Sequence, residues 1–151
     1  MSLEEIQNRL MLLEQQMKQA IKTNLAITTL TRELQIEKGK QVFMQTCFVC
    51  HQFDGKGIPN QIPPLAGSDF LMADAERSIR IVLQGKSGEL TVNGKTYNGT
   101  MVPLNNLSDE EIANVLTYVR NNWGNSGDAI SIDKVRRLRS EAPAVVANQY
   151  E

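Results

Sequence analysis

Cys47-Phe48-Val49-Cys50-His51 gathers both cysteines and the single histidine of a 151-residue chain into five consecutive positions. Cys-x-x-Cys-His is the spacing that attaches a c-type haem. Two thiols form thioethers with the two vinyl groups of one porphyrin. In a near-helical turn the thiols stand about one turn apart on one side of the ring, and the next residue projects beneath the metal, so His51 can ligate the iron. Three other readings use the same residues. A structural zinc site takes four Cys or His ligands, and here zinc would need a carboxylate or water as well. A thioredoxin-like redox pair needs a βαβ context, whereas the surrounding pattern is mostly helical. A plain structural disulfide would not account for the histidine. The residue order favours haem, with Cys47 and Cys50 as attachment points and His51 as an iron ligand.

The sixth iron ligand cannot be a second histidine, because there is none. A packed haem site with one histidine usually takes methionine. Met1, Met11 and Met17 fall in an N-terminal apolar repeat. Met44 precedes Cys47 by three residues and cannot easily reach the opposite haem face. Met72 reads as core. Met101, in Asn98-Gly99-Thr100-Met101-Val102-Pro103, lies in a loop that can fold over the open face. It is the expected second metal ligand. In the rival reading, Met101 covers the haem edge and leaves the iron five-coordinate.

Outward from the motif, residues 3–27 carry a heptad repeat. Leu3, Ile6, Leu10, Leu13, Met17, Ala20, Asn24 and Ile27 are alternately three and four apart, the a/d seam of a coiled coil. Thr28, Thr29 and Thr31 lower helix propensity and predict a joint, with a second helix over about 32–46. A Gly- and Pro-rich loop is expected over 54–67, then one or two short helices over 69–85 stopped by Gly85. Asn93-Gly94 between β-forming flanks predicts a hairpin over 90–97. Ser108 and Glu111 open a capped helix whose apolar face is Ile112, Val115, Leu116, Val119 and Trp123, with Gly124 as its end. A short helix should follow Ser131 and hold Val135 and Leu138, before a loose tail over 142–151. The fold class expected is all-α with a small hairpin, helices around one haem, and an extra N-terminal amphipathic helix. The domains expected are 1–30, 31–124 and 125–151.

Charge is nearly balanced. Acids and bases number four and four in residues 1–36, nine and eight in 37–124, and four and four in 125–151. No segment has the basic excess of a nucleic-acid binder, so no nucleic-acid partner is expected. Arg136, Arg137 and Arg139 read as a solvated helix face with Glu141. No apolar run is long enough for a transmembrane helix. No charged-then-apolar leader is visible, so the chain reads as a mature form.

Together these features resemble the class I monohaem cytochromes c over roughly residues 37–124. The resemblance implies that Gly39 and Phe43 on the helix before the haem motif cross a C-terminal helix at Tyr118. It also implies that Ile62-Pro63-Pro64-Leu65 supplies a Pro-Leu pair, Pro64 and Leu65. The proline carbonyl would accept a hydrogen bond from His51, and the leucine would pack on the ring. The run 92–99, residues 107–119 and Trp123-Gly124-Asn125 are most similar to the cytochrome c domains tethered to copper nitrite reductases. Those domains usually carry Met-Pro-Pro where this chain has Met101-Val102-Pro103. The resemblance implies an electron carrier, not an enzyme, with one covalent haem c and its iron, serving a periplasmic redox partner such as a copper nitrite reductase or a terminal reductase or oxidase. The alternatives are a haem-based sensor or peroxidase-like enzyme with an open sixth site, or a haem subunit that assembles a larger complex through residues 3–27. That helix reads equally as an oligomerisation or docking element and as an amphipathic helix lying on its own haem domain. The exposed haem edge is expected near Cys47, Ile58, Pro59 and the Met101 loop, with Lys56, Lys86 and Lys95 at its rim.

Overall fold

The structure, a computed structural model, describes residues 1–141; the tail expected over 142–151 lies outside the described residues. The chain divides into two units, Met1–Leu34 and the residues from Gln35 onward. The first unit is one stretch of α-helix, part of α1, Leu3–Val42. Ser2 starts it. Its hydroxyl accepts the Glu5 amide at 3.2 Å, and the Glu5 carboxylate accepts the Ser2 amide at 2.6 Å, a reciprocal cap.

The joint expected at Thr28, Thr29 and Thr31 does not form. Each hydroxyl donates to the carbonyl four residues back, on Asn24, Leu25 and Ile27, at 2.9–3.0 Å. Bonded in this way, a threonine hydroxyl is satisfied within the helix instead of competing with it. Every apolar residue of the heptad seam is exposed, as it must be in a unit made of a single helix.

The second unit is built on a helix crossing. Its start is the last turns of α1. A five-residue π-helical segment follows, Phe43–Cys47, closed by the Phe48 amide on the Phe43 carbonyl. The short α2, Phe48–His51, completes the run. The helix expected to end near residue 46 thus continues, in altered winding, through the haem motif. A π turn inserts one residue into the spiral, which re-phases the cysteines relative to Phe43. Gln52, at φ 66°, breaks the helix directly after His51.

Gly39 meets α5, Asp109–Val119, at Asn114 and Tyr118. A Cβ on Gly39 would run into the Asn114 carbonyl oxygen and lie 2.8 Å from the Tyr118 Cβ. The backbones touch because glycine has no side chain. One turn on, fully buried Phe43 packs on Tyr118 at 5.5 Å between ring centroids and edge-on to Trp123 at 5.3 Å, within the range where aromatic pairs add to simple burial. Helix α5 is buried from Ile112 to Val119. It ends at Arg120, so the helix expected to reach Gly124 stops four residues early. Trp123 sits in a left-handed turn, φ 51°, fixed by the Asn122 side chain accepting its amide.

The remaining elements wrap this crossing. Helices α3, Asp69–Ala73, and α4, Ala75–Gln84, are capped by Ser68 and Asp74, and Gly85 stops α4 as expected. Strands β1, Glu89–Val92, and β2, Lys95–Asn98, form an antiparallel hairpin. Its turn residues Asn93 and Gly94 both have positive φ, as a type I′ turn requires. Helix α6, Ile132–Glu141, buries Val135 and Leu138 against α4 and α5. The buried Thr117 hydroxyl accepts the Ile130 amide at 2.9 Å and so ties the α5–α6 connection to α5. Among the described residues, no helix is long and apolar enough to cross a membrane.

Gly39→Ala places a methyl against backbone that cannot withdraw. The expected cost is about 2–3 kcal/mol, despite alanine's better helix propensity. Denaturant unfolding of the haem-loaded protein should show a clearly lower midpoint. An unchanged midpoint would mean the crossing is looser than described.

Candidate functional site

The second unit encloses a cavity of about 280 Å³ whose lining is mainly apolar. Cys47, Cys50 and His51 line it from the end of the first helical run, and Pro63, Pro64 and Leu65 from the loop that follows. Met101 lines it from the loop before α5. Residues 47, 50, 51, 64, 65 and 101 are thus brought together from three separate segments. Among the described residues, no three His, Cys, Asp or Glu side chains converge to hold a metal ion. No disulfide joins the two cysteines. Cys50 is exposed while Cys47 is half-buried. Burial, and secondarily the neighbouring Cys50, pushes the Cys47 thiol up to about 11.

Burial also lowers the pKa of His51, and the backbone of Pro63 opposes this to a smaller extent. The imidazole therefore stays neutral at neutral pH, which leaves one ring nitrogen with a lone pair. Its Nδ1 is buried and meets no acceptor at full hydrogen-bond geometry, and the backbone that acts on the ring is that of Pro63. The facing proline is Pro63, whereas the sequence reading chose Pro64. The reason is the path of the loop. Gly57, at φ 66°, donates its amide to the His51 carbonyl at 3.1 Å, and a Cβ there would strike the Ile62 carbonyl oxygen and come within 2.7 Å of that of Pro63. This contact brings the backbone of Ile62 and Pro63 inward.

Two side chains near the end of α5 fasten the same loop. Asn125 donates to the Leu65 carbonyl at 2.9 Å and the Val119 carbonyl at 2.8 Å, and its oxygen accepts the Gly67 amide at 3.0 Å. The Trp123 indole donates to the Phe53 carbonyl at 3.1 Å, and its ring lies where Gly55 would carry a Cβ. Asparagine and glycine beyond a helix look like turn chemistry, and nothing local to residues 123–125 signals a contact some sixty residues away.

Met101 is held by backbone. It exchanges two hydrogen bonds with Lys86, at 2.9 and 2.8 Å, in an isolated bridge. Leu104 donates to the Val82 carbonyl at 2.8 Å. Gly85, at φ 75°, lies so close that a Cβ would stand 2.5 Å from the Met101 carbonyl oxygen. Gly99 makes a similar approach to the Gln61 carbonyl. Met72 packs at the core margin and Met44 is exposed, so among the methionines from Gln35 onward only Met101 lines the cavity.

The family model for cytochrome c matches residues 36–123. The chain belongs to the cytochrome c family. It is 36% identical to cytochrome c-552 of Thermus thermophilus over 112 residues, which span 68% of this chain and 85% of that protein. It is 31% identical over 110 residues to the cytochrome c subunit of a quinone-type alcohol dehydrogenase from Gluconobacter oxydans, covering 71% of this chain and 23% of that subunit. It is 29% identical over 110 residues to the gluconate 2-dehydrogenase cytochrome c subunit of Pantoea cypripedii, covering 70% and 24%.

This cytochrome c is therefore an electron carrier with a covalently bound haem c and its iron, and is not itself an enzyme. The cavity fits that group. It offers apolar walls for a porphyrin, two thiols on one side, a neutral imidazole beside them, and a thioether in the same lining.

The surface around the motif differs in detail from the expectation. Cys50, not Cys47, is the exposed cysteine. Val49, Phe53, Ile58 and Val102 are exposed large apolar residues, and Pro59 is exposed beside them. Lys56 and Lys95 are exposed, while Lys86 is half-buried. The arginines of α6 are engaged on the surface. Arg136 pairs with Asp133, Arg137 with Glu76 and Glu141, and Arg139 with Asp109 and the Asn105 and Leu107 carbonyls.

Gly85→Ala should displace the Met101 loop, because the added methyl meets main chain and the φ is strained for a residue with a Cβ. If Met101 ligates the iron, the expected signature is a weakened ferric Met–iron absorption band with haem still attached. A full-strength band would show that the loop absorbs the methyl elsewhere.

Proposed function

We propose that this cytochrome c carries single electrons to and from a periplasmic oxidoreductase, with Cys47 and Cys50 as thioether anchors and His51 and Met101 as the iron ligands. The observation that carries this reading is the convergence of those four side chains on one apolar cavity. Haem c supplies a one-electron couple at its iron. The protein residues hold that couple in place and tune it. The Cys-x-x-Cys turn fixes the ring, and buried His51 offers a neutral nitrogen with Pro63 as the group orienting it. Leu65, in the cavity lining, would pack on the ring, and the Lys86–Met101 bridge would present the thioether to the iron. Methionine ligation and exclusion of water both favour the ferrous state.

The names of two relatives, cytochrome c subunits of dehydrogenases, support an oxidoreductase as the partner. The likeness of residues 92–99 and 107–119 to domains tethered to copper nitrite reductases supports that enzyme class as a second candidate. The sensor or peroxidase-like reading requires an open sixth site, and Met101 in the cavity lining favours the carrier.

Met101→Ala separates them. The expected variant keeps its haem, loses the ferric Met–iron band and falls in reduction potential. An unaltered band would assign the sixth position to another group and reject Met101.

The partner surface should be the apolar patch of Val49, Phe53, Ile58 and Val102 around exposed Cys50. Few charges rim it, so electrostatic steering is weak and the contact small and transient. Stopped-flow rates with the physiological partner should fall only modestly from low to physiological salt. A fall of about two decades, the scale of strong steering, would locate the dock on a charged surface instead.

A further inference from the structure

The first unit, Met1–Leu34, presents an apolar seam that no other element of that unit can cover. We propose that it pairs with the same residues of a second copy of this chain as a parallel, in-register, two-stranded coiled coil. The seam runs Leu3, Ile6, Leu10, Leu13, Met17, Ala20, Asn24, Ile27, Thr31, Leu34, and every one of these side chains is exposed on an unbroken helix. Such a repeat sustained over more than four heptads is a coiled-coil pattern.

The flanking positions choose the partner. With Leu3 at a, Arg9 occupies a g position and Glu14 the e position of the next heptad. In a parallel pair, g of one helix faces the following e of the other. Arg9 then meets Glu14 of the second copy, twice by symmetry. Within one helix these two residues are five apart and do not face each other. Neither has an ion-pair partner among the described residues. The other e and g residues of the seam, Gln7, Ile21 and Thr28 with Ser2, Gln16, Thr23 and Leu30, are uncharged. A copy of this helix is therefore electrostatically complementary to itself, with no opposing like charges. An antiparallel pair sets g against g and e against e, and never brings Arg9 to Glu14.

Asn24 fixes alignment. It sits at an a position, and only a parallel, in-register pair places two asparagines side by side in an otherwise apolar seam. A single buried Asn of this kind specifies register and strand number at a cost in stability. Leu3 at a with Ile6 at d is a pairing that larger assemblies favour. Asn24, and the small Ala20 beside it at d, oppose that tendency and select two strands.

The test uses the full-length, haem-loaded protein in sedimentation equilibrium across the micromolar range. The wild type should show twice the mass of one haem-bearing chain. Leu13→Asp should halve it while leaving the haem spectrum unchanged, which shows that the haem unit is intact. Arg9→Glu should weaken association several-fold, and adding Glu14→Arg to it should restore the wild-type value. A wild-type monomer at all concentrations overturns the proposal, as does a dimer that survives Leu13→Asp. A mass of three or four chains overturns the two-stranded assignment. Failure of the double reversal to restore association overturns the parallel pairing.

Discussion

Gly39 and Asn114 touch backbone to backbone, and the geometry of the haem unit follows from that contact. Close approach at one point fixes the angle and depth at which the last turns of α1 lie on α5, and Phe43, Tyr118 and Trp123 then lock the crossing with a cluster of edge-on rings. The helical run leaving the crossing carries Cys47, Cys50 and His51. Since a π turn separates Phe43 from Cys47, the aromatic face and the cysteine face of one continuous helical run point in different directions. One packs into the core and the other lines the cavity. The π segment at this place matches the general tendency of such irregularities to occur where a helix serves a site.

Residues of α3, α4, α5 and the hairpin form part of the cavity wall and loops form the rest, and the loops are tied to the helices by backbone bonds or by half-buried side chains. Asn125 and Trp123, just beyond α5, hold the loop that carries Pro63 to Leu65. The Lys86 bridge and the close approach of Gly85 hold the Met101 segment to the end of α4. Arg139 ties α6 to the residues leading into α5. A loop has no internal ladder to define it, so a ligand on a loop is only as well placed as the contacts that pin its main chain. Three glycines at the cavity loops, 57, 85 and 99, stand where main chain meets main chain, and this close approach is what defines the pocket.

Electrostatics and burial act together at the histidine. An apolar setting disfavours the imidazolium and leaves a neutral ring able to bind a metal, and the same setting disfavours the extra charge of oxidised iron. Many of the charged residues are engaged in surface pairs, such as Arg137 with Glu76 and Lys38 with Glu110. Exposed pairs of this kind contribute little to stability. The exposed seam of the first unit is a separate apolar surface, patterned for a helix instead of a flat partner.

Much of this was legible in the sequence because it is encoded locally. Cys-x-x-Cys-His, the Asn93-Gly94 turn, the Ser108 cap and the stop at Gly85 each depend on a few neighbouring residues, and each lies where the spacing places it. Met101 stands in a loop before a capped helix in the sequence, and in the structure it lines the cavity. Where local signals misled, tertiary contacts or side-chain bonds prevailed. The threonine joint vanished because three hydroxyls found carbonyl acceptors within the helix. The α5 helix ended early because Trp123 packs on Phe43 and Tyr118 instead of extending the spiral. Pro63 rather than Pro64 faces His51 because Gly57, several residues away, draws the loop inward. The contacts of Asn125 and Lys86 carried no local signal, since a side chain that bonds a distant carbonyl looks like any polar turn residue and a backbone bridge such as that of Lys86 with Met101 leaves no mark on residue type. The sequence by itself determined the cofactor chemistry and the order of elements, because covalent attachment and helix caps need only near neighbours. Only the tertiary structure decided which carbonyl meets the histidine and what holds the methionine over the cavity, because those depend on where main chains distant in sequence come into contact.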